Sequence, residues 1–372
     1  MPSLTHQYKR LFVFCACMLS VVGIIFVYSA STYWSSVHYE GQTPFYLKQF
    51  IYFILACVVF VIVAKWPAIT EKQALLLYVF SLILLVLVLI PGIGIWRNGS
   101  RSWIGLGPLT LQPAELVKIT TLLYLSVRLA KAKTYERVVK LEHFIILFIP
   151  ATLIMLQPDF GSVFILVVTA FVLLFIAKYP IRLYVLIILI GAAGLVFLII
   201  SAPYRLKRIE AFLNPWADAL GSGFQAVQSL LAIGPAGLFG HGFLQSRQKY
   251  LYLPEPQNDF IFSIILEEMG FVGGIVVLVL FALFLYSGYA LAIRAYSLEQ
   301  FYIISALTSM IAIQACLNIG VVIGLLPVTG VTLPFISYGG TSLLVIWLTV
   351  ALIINVANSG KEGVKNGKSN RY

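Results

Sequence analysis

Residues 74–95 read ALLLYVFSLILLVLVLIPGIGI, twenty-two residues without a charged side chain. A bilayer core takes about 20 predominantly apolar residues per helix. Backbone polar groups in lipid must be satisfied within their own segment, so a run of this kind has to be helical. Nine further runs share its character, at roughly 11–31, 46–64, 112–129, 143–157, 160–178, 182–202, 260–293, 301–326 and 340–357. No ten-residue alternation suggests a barrel. The expected fold class is therefore an all-α integral membrane protein, a ten-transmembrane-helix bundle forming one polytopic domain over residues 1–372. The run at 143–157 is short and ends in Gln157-Pro158-Asp159, whereas 260–293 is long enough to tilt or to extend past the bilayer.

Composition agrees with this reading. The chain is 60% hydrophobic and 10% charged, with a mean hydropathy of +0.97, whereas soluble domains carry about a quarter charged residues. Cys15, Cys17, Cys57 and Cys316 all fall inside apolar runs and read as small buried hydrophobes, with neither disulfide nor metal spacing. The first run lacks a small-residue cleavage site and reads as a retained helix.

Lys and Arg set the orientation. With the N-terminus cytoplasmic, sixteen of the 25 basic residues fall in cytoplasmic segments, and both termini are inside. The net charge of +11 then reflects this asymmetry and anionic lipid rather than nucleic acid. Eight basic residues remain outside: Lys48, Arg97, Arg101, Arg205, Lys207, Arg208, Arg247 and Lys249. Seven of them lie in two loops, 92–111 and 203–259. Long loops cross a membrane regardless of charge; the sharper reading is an anion site on the outer face. The large extracytoplasmic loop 203–259 lies between helices 7 and 8, and a short cytoplasmic tail covers 358–372. A connection that long is usually functional.

In this topology helices 4, 6, 8 and 10 start at the outer face. Their starts carry Gln112-Pro113-Ala114-Glu115, Gln157-Pro158-Asp159, Pro254 through Asp259, and Pro334 through Thr341. Proline and small polar residues mark helix ends in general. Four such starts beside two basic loops also suit a phosphate-bearing ligand, because free N–H groups and the helix dipole favour anions there. Glu115 and Lys118 share a helix face, either as a structural ion pair or with Lys118 on phosphate and Glu115 orienting it. Asp259 is either an N-cap or a general base. Asp159 is a cap or a secondary site residue, and Trp103 beside Arg101 is an interfacial anchor or a sugar or lipid contact. Glu267 and Glu268 read as structural or paired with a basic neighbour. Gly234, Gly237, Gly240 and Gly242 form no phosphate motif and permit a tight turn or re-entrant segment. His6, His38, His143 and His241 are scattered and suggest neither a metal site nor a triad.

These motifs resemble the SEDS family (shape, elongation, division and sporulation). The resemblance rests on Asn98 through Gly105, Gln112 through Lys118, Gln157 through Gly161, Leu253 through Phe260, and Pro327 through Gly340. Ser246-Arg247-Gln248-Lys249-Tyr250 is similar to the FtsW/SpoVE branch more than to RodA. Ala114 and Asn258 stand where the family often has Ser and Thr, and both leave the charged positions intact. The resemblance implies a peptidoglycan glycosyltransferase in the bacterial cytoplasmic membrane, polymerising lipid II on its outer face with a class B penicillin-binding protein. Division, elongation or sporulation could each be the process served. It also implies Asp259 as the catalytic aspartate and Trp103 as functionally important.

The residues fit that chemistry. A carboxylate can take the proton of the attacking 4-hydroxyl, and cations can stabilise the departing pyrophosphate. Asp259 is the expected base, with Arg101, Lys118 and Arg205 near pyrophosphate. A divalent cation could share that work, although no metal cluster is visible. The α-linked donor and β-linked product imply a single inverting displacement. The rival readings are a lipid II flippase and a non-catalytic scaffold for the penicillin-binding protein. The first predicts polar groups through the depth of the helices, and the second makes Asp259 a mere cap.

Overall fold

The computed structural model describes residues 4–38, 44–97, 100–106, 109–134, 140–182, 184, 185, 189, 210 and 212–365. The apolar runs appear as helices α1 (Leu4–His38), α2 (Phe45–Ala64), α3 (Glu71–Leu89), α4 (Pro113–Thr134), α5 (Leu141–Met155) and α6 (Phe160–Ile176). A short α7 (Phe224–Ile233) precedes α8 (Ile261–Ile293), α9 (Leu298–Val322) and α10 (Thr341–Lys365). The run 182–202 lies almost wholly outside the described residues. Helices α1, α2, α3, α8, α9 and α10 are each long and apolar enough to cross a membrane.

Burial separates core from rim. In α9 and α10 about 78% of the most apolar stretch is buried, against 11% in α2. Helix α9 packs on α4, α6, α8 and α10 at the centre, while α1 lies along α8 and α2 along α10. The exposed flank of α2 is a row of Phe50, Ile51, Ile54, Leu55, Val58, Val61 and Ile62, a surface suited to lipid. Cys316 on α9 is likewise exposed, so it is not the buried hydrophobe its sequence context suggests.

The two ends of the bundle differ chemically. At one end, Thr70 and Gln73 close a capping box at the start of α3. There Arg128 of α4 bridges Glu71 and Glu142 at 2.8 Å each, and Lys131 also pairs with Glu71. The opposite end holds the starts of α4, α6, α8 and α10 and departs from an all-helical expectation. Strands β1 (Gly94–Arg97), β2 (Ser100–Leu106) and β3 (Leu109–Leu111) form a small antiparallel sheet in the order β1-β2-β3. Apolarity continues through 74–95, but α3 stops at Leu89. Ile90 turns extended and Pro91-Gly92 follows, so Ile93-Gly94-Ile95 leads into a strand instead.

Helix α8 is two helices joined at a break. Gly270 has φ 65° and ψ −163°, which splits Ile261–Met269 from the longer remainder. The backbone of 237–242 fills the break. Phe271 and Val272 donate to the carbonyls of Gly237 and Leu238 at 3.0 and 3.1 Å, while His241 and Gly242 donate to those of Glu267 and Glu268 at 2.9 Å each. The glycines therefore serve a docked segment, with Gly237, Gly240 and Gly242 all at positive φ. Broken helices occur at membrane depth only where other protein satisfies the freed backbone groups. A Cβ on Gly270 would lie 2.4 Å from the amide nitrogen of Gly240. Gly270→Ala is therefore expected to lower stability by about 1–3 kcal/mol, read as a drop in melting temperature of the detergent-solubilised protein.

Candidate active site

The segment Pro254–Asp259 enters α8 through tight turns rather than through a side-chain cap. Asn258 N–H donates to the Glu255 carbonyl at 3.0 Å, and the Asn258 amide reaches the Glu255 carboxylate at 2.6 Å. Phe260 is the N-cap residue of α8, and no side chain accepts a hydrogen bond there. Phe260, Ile261 and Phe262 are buried, which anchors the chain just beyond Asp259. Asp259 itself is partly exposed and lies ahead of the spanning helix. Among the described residues no cation pairs with its carboxylate. Loss of hydration pushes the Asp259 carboxyl up from 3.8 to about 6; its own backbone N–H pulls the other way and Glu255 adds to the rise.

The other polar helix starts converge on the same end through specific bonds. Gln112 donates to Asp159 at 3.0 Å, joining the starts of α4 and α6. Asp159 caps α6, accepting from Ser162 N–H at 3.0 Å and from Ser162 O–H at 2.8 Å. The Tyr338 N–H donates to the Gln257 carbonyl at 2.8 Å, tying the approach to α10 to that of α8. That approach is strained: Phe335 has φ 67°. It also lies hard against α1, where a Cβ on Gly23 would sit 2.6 Å from the Phe335 carbonyl oxygen.

Glu115 and Lys118 form an ion pair at 2.7 Å. Lys118 is 1% exposed and also donates to Gln314 of α9 at 3.3 Å. The pair is closed in this structure. Contact with a phosphate would require it to open. Arg101 stands on β2, with its guanidinium carbon 5.5 Å from the centroid of the Trp96 ring and its buried Nε without a hydrogen-bond partner. Trp103 lies two residues along the same strand, opposite Ile95. No hydrogen bond or ion pair joins Arg101 to Asp259 among the described residues. Arg205 lies outside the described residues.

Glu267 and Glu268 are buried and held by the loop ahead of them and by α1, with Glu268 Oε2 left without a hydrogen-bond partner. Glu267 accepts from Ser246 O–H at 2.5 Å and from Arg247 N–H at 2.8 Å. Glu268 accepts from Ser29 of α1 at 2.6 Å and pairs with Lys249 at 3.3 Å. The expectation of structural or paired roles matches this geometry. Sequence reasoning passed over Gln314 and Asn318, two amides four residues apart in the apolar run of α9. Asn318 donates at 2.7 Å to the backbone carbonyl of Asp259 and at 2.7 Å to that of Val331. Polar side chains inside a spanning run are themselves the signal.

Comparison with known proteins places this arrangement. The chain is 45% identical over 358 residues to stage V sporulation protein E of Bacillus subtilis strain 168, covering 93% of this chain and 96% of that protein. It is 39% identical over 348 residues to a protein of Saccharophagus degradans named a probable peptidoglycan glycosyltransferase FtsW, covering 91% and 89% of the two chains. A solved structure, described as the structural coordination of polymerization and crosslinking by a peptidoglycan synthase complex, contains a chain 31% identical to this one. That chain superposes with a TM-score of 0.76 over 93% of this chain and 96% of its own. The model of the cell cycle protein family FtsW/RodA/SpoVE matches residues 9–362, and the chain belongs to that family.

Proposed function

We propose that this protein is a peptidoglycan glycosyltransferase that polymerises lipid II into glycan strands on the outer face of the cytoplasmic membrane. The observation that carries the reading is Asp259. Its carboxylate is unpaired among the described residues, is raised to about 6, and sits at the end of the bundle where four helix starts meet. A base with a pKa just below neutrality is ionised at working pH yet still accepts a proton effectively. The name of the Saccharophagus degradans relative supports the same chemistry.

In the proposed reaction the acceptor 4-hydroxyl attacks the anomeric carbon of the donor and gives its proton to Asp259. The C1–O bond to the pyrophosphate breaks in the same displacement, and the configuration inverts. Arg101 and Arg205, with the helix N-termini, stabilise the charge on the departing pyrophosphate. Trp103, on the same strand as Arg101, contacts the sugar or lipid.

Ten crossings, with the seventh at 182–202, put both termini in the cytoplasm and the sheet and Asp259 outside. The chain acts as one polytopic unit, and its partner is a class B penicillin-binding protein. A related chain in a synthase complex that coordinates polymerization with crosslinking supports that pairing. The test is reconstitution. The purified protein with its partner, supplied with lipid II, should yield glycan polymer on gels. Transbilayer movement of lipid II in vesicles without any polymer would support the flippase reading instead.

A further inference from the structure

Helix α9 presents Gln314 and Asn318 on one face, each 1% exposed. Both amides are spent on other segments rather than on their own helix. The two N–H groups of Asn318 hold the carbonyls of Asp259 and Val331, both at 2.7 Å. One turn away, Gln314 donates to the Thr332 carbonyl at 3.1 Å and accepts from Lys118 at 3.3 Å. Successive carbonyls of the segment before α10 are thus gripped by successive turns of α9. A continuous line runs from Glu115 through Lys118, Gln314, Thr332, Val331 and Asn318 to the backbone of Asp259.

We infer that Asn318 and Gln314 are positioning residues, fixing Asp259 for proton transfer and linking it mechanically to the Glu115–Lys118 pair. The inference rests on the reading of Asp259 as base. The carboxylate of Asp259 can move only by rotating about a backbone that Asn318 clamps. Interhelical amide bonds also hold membrane helices together generally. A purely cohesive role, however, predicts bonds between helices alone, as from Lys118 to Gln314, whereas Asn318 bridges two loops at the reactive end of the bundle.

The test uses the purified protein with its partner and lipid II, comparing wild type, Asn318→Leu, Gln314→Leu and Asp259→Asn. Asn318→Leu keeps the branched four-atom shape of the side chain, though it is bulkier, and removes both donors. It should lower kcat by roughly 10- to 100-fold, the scale of a misplacement of about 1 Å, with KM for lipid II nearly unchanged. It should also move the acid limb of the rate profile to lower pH, because a loosened loop admits water to the carboxylate. Gln314→Leu should do the same to a smaller degree, and the double variant should lose less than the product of the two. Melting temperature and partner co-purification establish folding. If Asn318→Leu fails them, Gln314→Leu carries the measurement. Wild-type kcat and an unmoved acid limb in the folded variants would overturn the positioning role alone, provided Asp259→Asn is inactive in the same assay. Full activity of Asp259→Asn would instead remove the base assignment and the inference with it.

Discussion

Asp259→Asn is expected to reduce polymerisation by roughly 10²–10⁴-fold, the usual contribution of a positioned general base, while leaving the protein folded and bound to its partner. Asparagine caps helices as well as aspartate does, so a capping role predicts no loss. The wild-type rate should rise with pH through about 6 and level off above it, since the base must be deprotonated to act. Stability should move the other way. The folded-state value lies above the ordinary 3.8, so the folded protein holds a proton that the unfolded chain has released between those values. The stabilisation from that proton is complete below 3.8 and is lost as pH rises through about 6. The interval sets a ceiling of about 3 kcal/mol, reduced because Asp259 is partly exposed. Asp259→Asn, which never ionises, should therefore melt above wild type at pH 7.5, and the gap should shrink to about half at pH 5 and close only as pH falls below 3.8. Equal rates for the two proteins would sink the assignment, and an equal melting gap at both pH values would sink the electrostatic account of it.

The same residue shows how far the sequence reaches. Its partial loss of hydration and lack of a cation follow from three-dimensional neighbours: the turn closed by Asn258 and Glu255, and the buried Phe260-Ile261-Phe262 behind it. None of these contacts is encoded in the spacing of the motif. The spanning helices were legible because lipid imposes one length and one bonding rule, and α2 and α6 begin within a residue of their apolar runs. The sheet was not, because hydropathy counts Ile93 and Ile95 as more helix while Pro91-Gly92 has already turned the chain. The break in α8 was hidden for a similar reason. A single Gly270 in an apolar run is common, and only the arrival of residues 237–242 shows that the helix ends there. Gln314 and Asn318 were visible as polar residues, but what they hold lies outside α9 in both cases.

Lys118→Met is expected to be the most damaging change to stability, at about 3–5 kcal/mol, because it strands the Glu115 carboxylate in a buried site. Lys118 is 1% exposed, and its two polar contacts are Glu115 at 2.7 Å and Gln314 at 3.3 Å. Neutralising both partners removes the stranded charge, so Glu115→Gln with Lys118→Met should recover most of the lost melting temperature. Activity then separates the two roles open to the pair. If Lys118 binds the pyrophosphate, that contact exists in the ground state as well as the transition state, and the double variant should show a raised KM for lipid II. If the pair acts through Gln314 on the segment beside Asp259, KM should stay near wild type while kcat remains about 10-fold or more below it. The second outcome is the expected one. The ammonium group is enclosed, already charge-balanced, and bonded toward α9 rather than toward the open end of the bundle. A folded double variant with wild-type kcat would show that the pair only holds α4 in place, since neither proton transfer nor the leaving group would then depend on it.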